Sequence, residues 1–326
     1  VTNDGNTLAV GARGEASSAT GIDGDQSSGS APNSGAAYIF SRTGNVWTQD
    51  DYIKASNTGS ADQFAGAIAL SGDGLTLVVG AALEDSSATG INGVQLNDDV
   101  TLSGAAYVFA KSGSTWTQQA YIKASNTGIQ DLFGASVTLS NDGNTLAVGA
   151  NGEKSATTGI GGIETDDSGD SSGAVYVFTR AGVVWSQDVY VKASNARQGN
   201  LFGAGVALSS DGNILAVASP GEPSNAVGIN EDESDNTHND AGAAYIFIRD
   251  QGIWNQETYI KASNTSSGDF FGGSNGGSNN AVSSIALSQD GDILAVGAIK
   301  EDGAATGVNG SQLVNDESNS GAVYLY

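Results

Sequence analysis

The sequence predicts an all-β chain, a β-propeller of four-stranded antiparallel blades, and three observations carry that expectation. Asp-Gly followed by an apolar run stands at Asp4, Asp73, Asp142, Asp211 and Asp290, at steps of 69, 69, 69 and 79. A second motif, SGA(A/V)Y(I/V)F with variants, keeps the same register at Gly35, Gly104, Gly173, Gly242 and Gly321. Trp47, Trp116, Trp185 and Trp254 follow at 69-residue spacing. A fixed period of this kind marks repeat architectures. We expect one domain over 1–326 with repeat units near 1–61, 62–130, 131–199, 200–268 and 269–326. The longer last step places an insertion in the Gly/Ser/Asn-rich stretch Gly272 to Ser284.

The third repeat shows how the strands, called A to D, are read. Strand A is Phe133 to Ser140 and strand B is Asn144 to Ala150, joined through Asn141-Asp142-Gly143. Asp-Gly between apolar runs signals a hairpin, because glycine accepts the positive φ of a tight turn. Strand C is Gly173 to Phe178 and strand D is Trp185 to Ser194, joined by a turn containing Gly182. In strand C both alternating sets, Ala174, Tyr176 and Phe178 against Val175 and Val177, are apolar. Neither face of that sheet then meets water, as in a blade packed between neighbours.

Phe133-Gly134 and Phe202-Gly203, each followed by an apolar strand B and then the GAVYVF-type strand C, resemble the FG-GAP repeats of integrin α-subunit propellers and their bacterial relatives. The resemblance covers essentially the whole chain and implies a propeller used in adhesion. The second repeat departs mildly, with Phe64-Ala65-Gly66. The A–B turns depart more: the family often carries a DxDxDG calcium loop there, whereas this chain has SNDGN, SGDGL, SSDGN and SQDGD. One Asp before Gly does not supply the six or more oxygens calcium takes, so the family's calcium site is not carried to these turns.

Strands B and C occur five times but A and D only four, so the first blade is expected to lack A and the last to lack D. The open edges suggest a larger parent ring, or self-association through the terminal blades. The chain opens at Val1 inside a repeat, which suggests a processed or trimmed product.

With 36 acidic against 12 basic residues and a formal charge of −24, the surface would repel nucleic acid and anionic membranes. Cysteine is absent, which removes disulfides and thiol chemistry. No apolar run is long enough for membrane insertion. Of the 36 acidic residues, 22 lie in the five B–C connections, so the charge is expected on one face. These connections run about 21 residues, far longer than a hairpin requires. Glu15, Glu84, Glu153, Glu222 and Glu301 open them, followed by a Gly-Ile pair or its Gly307-Val308 variant, and the repeated apolar residue suggests an ordered loop.

Beyond that pair come acidic clusters, and the candidate metal ligands are Asp98, Asp99, Asp166, Asp167, Asp170, Glu231, Asp232, Asp235 and Asp316. Carboxylates with loop carbonyls suit calcium; the alternative is a solvated acidic surface. Lys54, Lys123, Lys192 and Lys261 recur in Y(I/V)KASN and read as partners of the repeated Glu, or else as a cationic ring for an anionic ligand. The tryptophans read as blade packing rather than an exposed stripe, and the lone His238 as a solvated loop residue without catalytic partners.

The expected function is a non-enzymatic extracellular or cell-surface binding module, presenting acidic loops to a protein or glycan. The alternatives are a structural subunit of a sheath, filament or surface layer, and a carboxylate-based glycan-active enzyme, for which a sheltered acid/base pair would be needed.

Overall fold

A computed structural model describes residues 1–274, 283–312 and 316–326. Eighteen strands and no helix are found among them, in five antiparallel sheets. The first sheet holds β1 (Thr7–Ala12), β2 (Ala36–Thr43) and β3 (Val46–Ile53). The second holds β4 (Ala67–Leu70), β5 (Thr76–Ala81), β6 (Ala105–Ser112) and β7 (Thr115–Ile122). The third holds β8 (Phe133–Leu139), β9 (Thr145–Ala150), β10 (Ala174–Ala181) and β11 (Val184–Val191). The fourth holds β12 (Gly205–Leu208), β13 (Ile214–Ser219), β14 (Ala243–Asp250) and β15 (Ile253–Ile260). The fifth holds β16 (Ile285–Leu287), β17 (Leu294–Ala298) and β18 (Ala322–Leu325).

Every sheet is a meander in sequence order, so the chain has the blades of a β-propeller. The first blade lacks strand A and the fifth lacks strand D, as the repeat count requires. Observed strands depart from the expected limits by one to three residues, chiefly because β10 and its equivalents run on to the hairpin. Most of the Gly272 to Ser284 insertion lies outside the described residues.

The chain forms two compact units, one of Val1–Ala150 with Tyr176–Asp188, the other of Asn151–Val175 with Val189–Tyr326. In the first unit, Ile39, Phe64, Leu77, Val79, Tyr107, Phe109 and Tyr121 share one buried cluster. In the second, Ala216, Ile260, Phe271, Val296 and Tyr324 do so. The C–D hairpin is stapled the same way in successive blades. Arg42 faces Trp47, Lys111 faces Trp116 and Arg249 faces Trp254 across the strands, each cation 5.2–5.5 Å from the ring centroid.

The Phe-Gly and Gly-Ala segments meet where one blade passes to the next. Phe133 N–H donates to the Ser103 carbonyl at 3.0 Å, and Gly104 bridges Phe133 in parallel. The Phe133 ring packs edge-on to Tyr176 and Phe178, as Phe202 does to Tyr245 and Phe247 in the second unit. Gly104 has φ +81, and a Cβ there would lie 2.1 Å from the Phe133 carbonyl oxygen. Only glycine fits both demands. Gly173 repeats them beneath Phe202, with φ +80 and the same 2.1 Å approach.

Three of the tryptophans are buried, Trp116, Trp185 and Trp254, whereas Trp47 of the first blade is 41% exposed. Trp185 Nε1 donates to Gln119 on β7 of the second blade at 2.8 Å. The residue belongs to the contact between consecutive blades, and the first blade has no predecessor among the described residues.

Candidate functional site

Each B–C loop is built from a fixed entry, a fixed return and a variable tip. At the entry, the Glu84 carbonyl accepts Gly104 N–H at 2.8 Å, and the Glu222 carbonyl accepts Gly242 N–H at 2.9 Å. The loop then folds back along the outer strand of its own blade. Ile22, Ile91, Ile160 and Ile229 form antiparallel bridges with Ile53, Ile122, Val191 and Ile260. Lys123 N–H donates to the Gly90 carbonyl at 2.8 Å, and Asn92 N–H to the Tyr121 carbonyl at 2.7 Å. The expected order of these loops is present, but the repeated isoleucine supplies mainly backbone pairing: Ile229 is 52% exposed. The end of each such outer strand is thereby paired.

The repeated Glu and Lys pair within a blade, at 2.8 Å for Lys54–Glu15, Lys123–Glu84 and Lys192–Glu153 and 2.7 Å for Lys261–Glu222. All four lysines are fully buried. The pair reading of the sequence is the observed one. The node is larger than the sequence suggests. Glu84 Oε1 also accepts Tyr121 O–H at 2.7 Å and Asn57 Nδ2 at 2.9 Å, while Lys123 Nζ donates to Ser103 Oγ at 2.6 Å. Asn57 comes from the preceding blade, and its Oδ1 accepts Tyr107 O–H at 2.6 Å. In the fourth blade Glu222 takes Asn195 Nδ2 at 2.9 Å, and Asn195 Oδ1 takes Tyr245 O–H at 2.6 Å. These buried charges are paired and hydrogen-bonded, the condition for tolerating them in a core.

Sequence reasoning missed two members of this region. The Asn of KASN recurs at Asn57, Asn126, Asn195 and Asn264, and its 69-residue spacing was the available signal. A carboxylate two residues before the Phe of strand A, in three of its four copies, was the other. Asp62, Asp131 and Asp269 are buried and accept backbone N–H groups from Gly59, Gly128 and Ser266 at 2.7–2.8 Å. Desolvation pushes Asp62 up to about 7 against the Gly59 hydrogen bond, with Glu84, Asp85 and Asp98 adding repulsion. Asp269 is likewise raised to about 6, by desolvation first, with Glu301 and Asp302 adding to it. In the remaining copy Asn200 occupies this position.

The candidate metal ligands sit on the loop tips. Asp98, Asp99, Asp167, Asp170, Glu231, Asp232 and Asp316 are exposed, Asp166 and Asp235 half-buried. Several cap their own turns. Asp166 accepts Ser168 N–H at 3.1 Å and Ala156 N–H at 3.2 Å. Asp232 accepts Ser234 N–H at 2.9 Å, and Asp235 accepts Thr237 N–H at 2.7 Å and Thr237 O–H at 2.6 Å. Such bonds hold Asp166, Asp232 and Asp235 below the usual carboxylate range. Among the described residues no three of His, Cys, Asp or Glu converge where they could hold a metal ion. His238 is half-buried in its loop, with Nδ1 3.1 Å from Thr237 Oγ1. In the A–B turns the Asp side chain serves the turn itself: Asp142 accepts Ser140 O–H at 2.6 Å and Asn144 N–H at 3.0 Å.

No helix among the described residues is long and apolar enough to cross a membrane. A search of curated proteins returns no match. The FG-GAP repeat family model matches residues 47–109 and 116–178, segments that each run from strand D of one blade through strand C of the next. With those matched repeats, five blades in one register and the Phe-Gly over Gly-Ala junction, this chain is a β-propeller that carries FG-GAP repeats.

Proposed function

We propose that the chain is a non-enzymatic binding module of an extracellular or cell surface, whose B–C loop tips engage a protein or glycan. FG-GAP propellers are typically binding and adhesion modules and generally non-enzymatic. The carrying observation is the division of labour in the loops. Their conserved-in-register residues are buried in the Glu–Lys node and the Gly-Ile return, while their variable residues, among them Asp98, Asp99, Asp167, Asp170, Glu231 and Asp232, stand in solvent. Apolar side chains stand beside them, with Leu96 85% and Ile163 68% exposed. Charge and apolar surface together at loop tips make a recognition surface.

The test is binding to arrayed glycans and surface proteins by the native chain and by a variant carrying those six carboxylates as Asn or Gln. Equal binding by the two sinks the reading. Calcium belongs to the same proposal, with tip carboxylates and loop carbonyls as ligands. Calorimetric titration of chelator-treated protein that gives neither heat nor a shift in melting temperature removes it.

A second reading, a structural subunit, is favoured by the outer strand of the fifth blade. On β18, Val323 and Leu325 are each 72% exposed, and among the described residues the strand pairs only with β17. Ordered polymers in electron micrographs support that reading; a monomer in size-exclusion chromatography at every concentration removes it.

A further inference from the structure

We propose that the buried Asn–Glu–Lys triads are self-processing sites, joining Asn57 to Lys123 and Asn195 to Lys261 through isopeptide bonds between consecutive blades. In each triad one carboxylate lies between an amine and a primary amide. Glu84 Oε2 accepts from Lys123 Nζ at 2.8 Å, and its Oε1 accepts from Asn57 Nδ2 at 2.9 Å. Glu222 does the same, with Lys261 Nζ at 2.7 Å and Asn195 Nδ2 at 2.9 Å.

Lysine and asparagine do not condense in water, where the amine is protonated and the amide is unactivated. Both obstacles are reduced here. Lys123 and Lys261 have no solvent exposure. Desolvation lowers the basicity of both amines, with Glu84 and Glu222 opposing it in part. The amide carbonyls each accept a tyrosine O–H, Tyr107 on Asn57 and Tyr245 on Asn195, both at 2.6 Å. That donor stands where negative charge develops as an amine adds. Burial keeps amine and amide on the two oxygens of one carboxylate, so Nζ has to move only from Oε2 to Cγ rather than meet it from solution.

The chemistry balances without a co-reactant. Glu84 takes one proton from the Lys123 ammonium, and the freed Nζ lone pair adds to Asn57 Cγ, forming the N–C bond and placing charge on Oδ1 beside Tyr107. The carboxyl then returns its proton to Nδ2, the Cγ–Nδ2 bond breaks, and ammonia leaves with the remaining proton as ammonium. One ammonium and one carboxamide become one secondary amide and one ammonium ion, with no change of oxidation state.

Two incomplete copies serve as controls within the same chain. Glu15 holds Lys54 in the first blade with no KASN segment among residues 1–14, and Glu301 holds Asn264 at 2.8 Å in the fifth with no strand-D lysine among residues 316–326. Within residues 1–326 neither copy has all three partners that the bond needs.

The experiment is intact-mass measurement of the denatured chain, followed by proteolytic mapping. The expected result is a shortfall of at least two ammonia masses and branched peptides joining Asn57 to Lys123 and Asn195 to Lys261. Asn126 and Lys192 stand at the same spacing, so a third branched peptide supports the proposal as well. Glu84→Gln is expected to lose the Asn57–Lys123 peptide and keep the Asn195–Lys261 one. If that variant does not fold, the native chain alone decides. The full sequence mass, or a shortfall accompanied by linear peptides with intact Asn57 and Lys123, overturns the proposal.

Discussion

At the residue scale the Glu–Lys node decides most. Glu84 is 1% exposed and Lys123 has no exposure, so removing one partner strands a charge in the core. Glu84→Ala is expected to cost roughly 3–5 kcal/mol, read as a fall in melting temperature, because the orphaned amine must be neutralised or hydrated. Glu15→Ala should cost less, since the Glu15 side chain is 13% exposed and water can reach the site. The pairing was legible in the sequence because Glu and Lys repeat in step. The third partner was not. Asn57 lies 27 residues before Glu84 and in another blade, so its role emerges only once the chain has turned back on itself.

At the scale of the element, the glycine opening strand C separates two costs that usually come together. Gly173→Ala meets both a φ of +80 and a carbonyl 2.1 Å away, so the blade junction must open. The expected loss exceeds about 4 kcal/mol, the range in which single substitutions become exceptional. Gly321→Ala meets a φ of +76, but its nearest atom, the Ile299 carbonyl oxygen, is 3.4 Å away. There the expected loss is only roughly 1–2 kcal/mol, the cost of left-handed backbone for an L-residue. Denaturant unfolding of the two variants checks the difference, and equal losses would show that packing over the glycine contributes nothing. The strands were legible from alternation and from Asp-Gly turns. The glycine's reason was not, because the clash comes from a segment 29 residues further on.

At the scale of the whole molecule, stability in a repeat protein sums over units and their junctions, and three of the four junctions here carry a buried aspartate. Asp62 and Asp269, raised to about 7 and about 6, bind a proton more tightly folded than unfolded. Their protonation favours the folded chain, so stability from these groups is fully present below the unfolded value near 4 and is lost as pH rises through about 6 to 7. The melting temperature is therefore expected to fall over that interval, and Asp62→Asn to flatten the fall. Asn200 already fills the equivalent place in the third junction, so the amide is compatible with the fold. A melting temperature that rises across the same interval in native chain and variant alike would refute the assignment. None of this could be read from composition. The repeat told where an Asp recurs; only the packed structure tells that Glu84, Asp85 and Asp98 surround it.

The return of each B–C loop along its own blade bears on how such a protein diversifies. Gly90 and Asn92 are fastened to the outer strand, and Gly104 to the Glu84 carbonyl, so the residues from Gly93 to Ser103 form a finger clamped at both ends. A finger so held can change its letters without disturbing the blade, and the copies already differ most there: VQLNDDVTL in one, IETDDSGD in the next, EDESDNTH in a third. Each tip can change while its clamp stays fixed, which makes the array a set of independently editable digits on one frame.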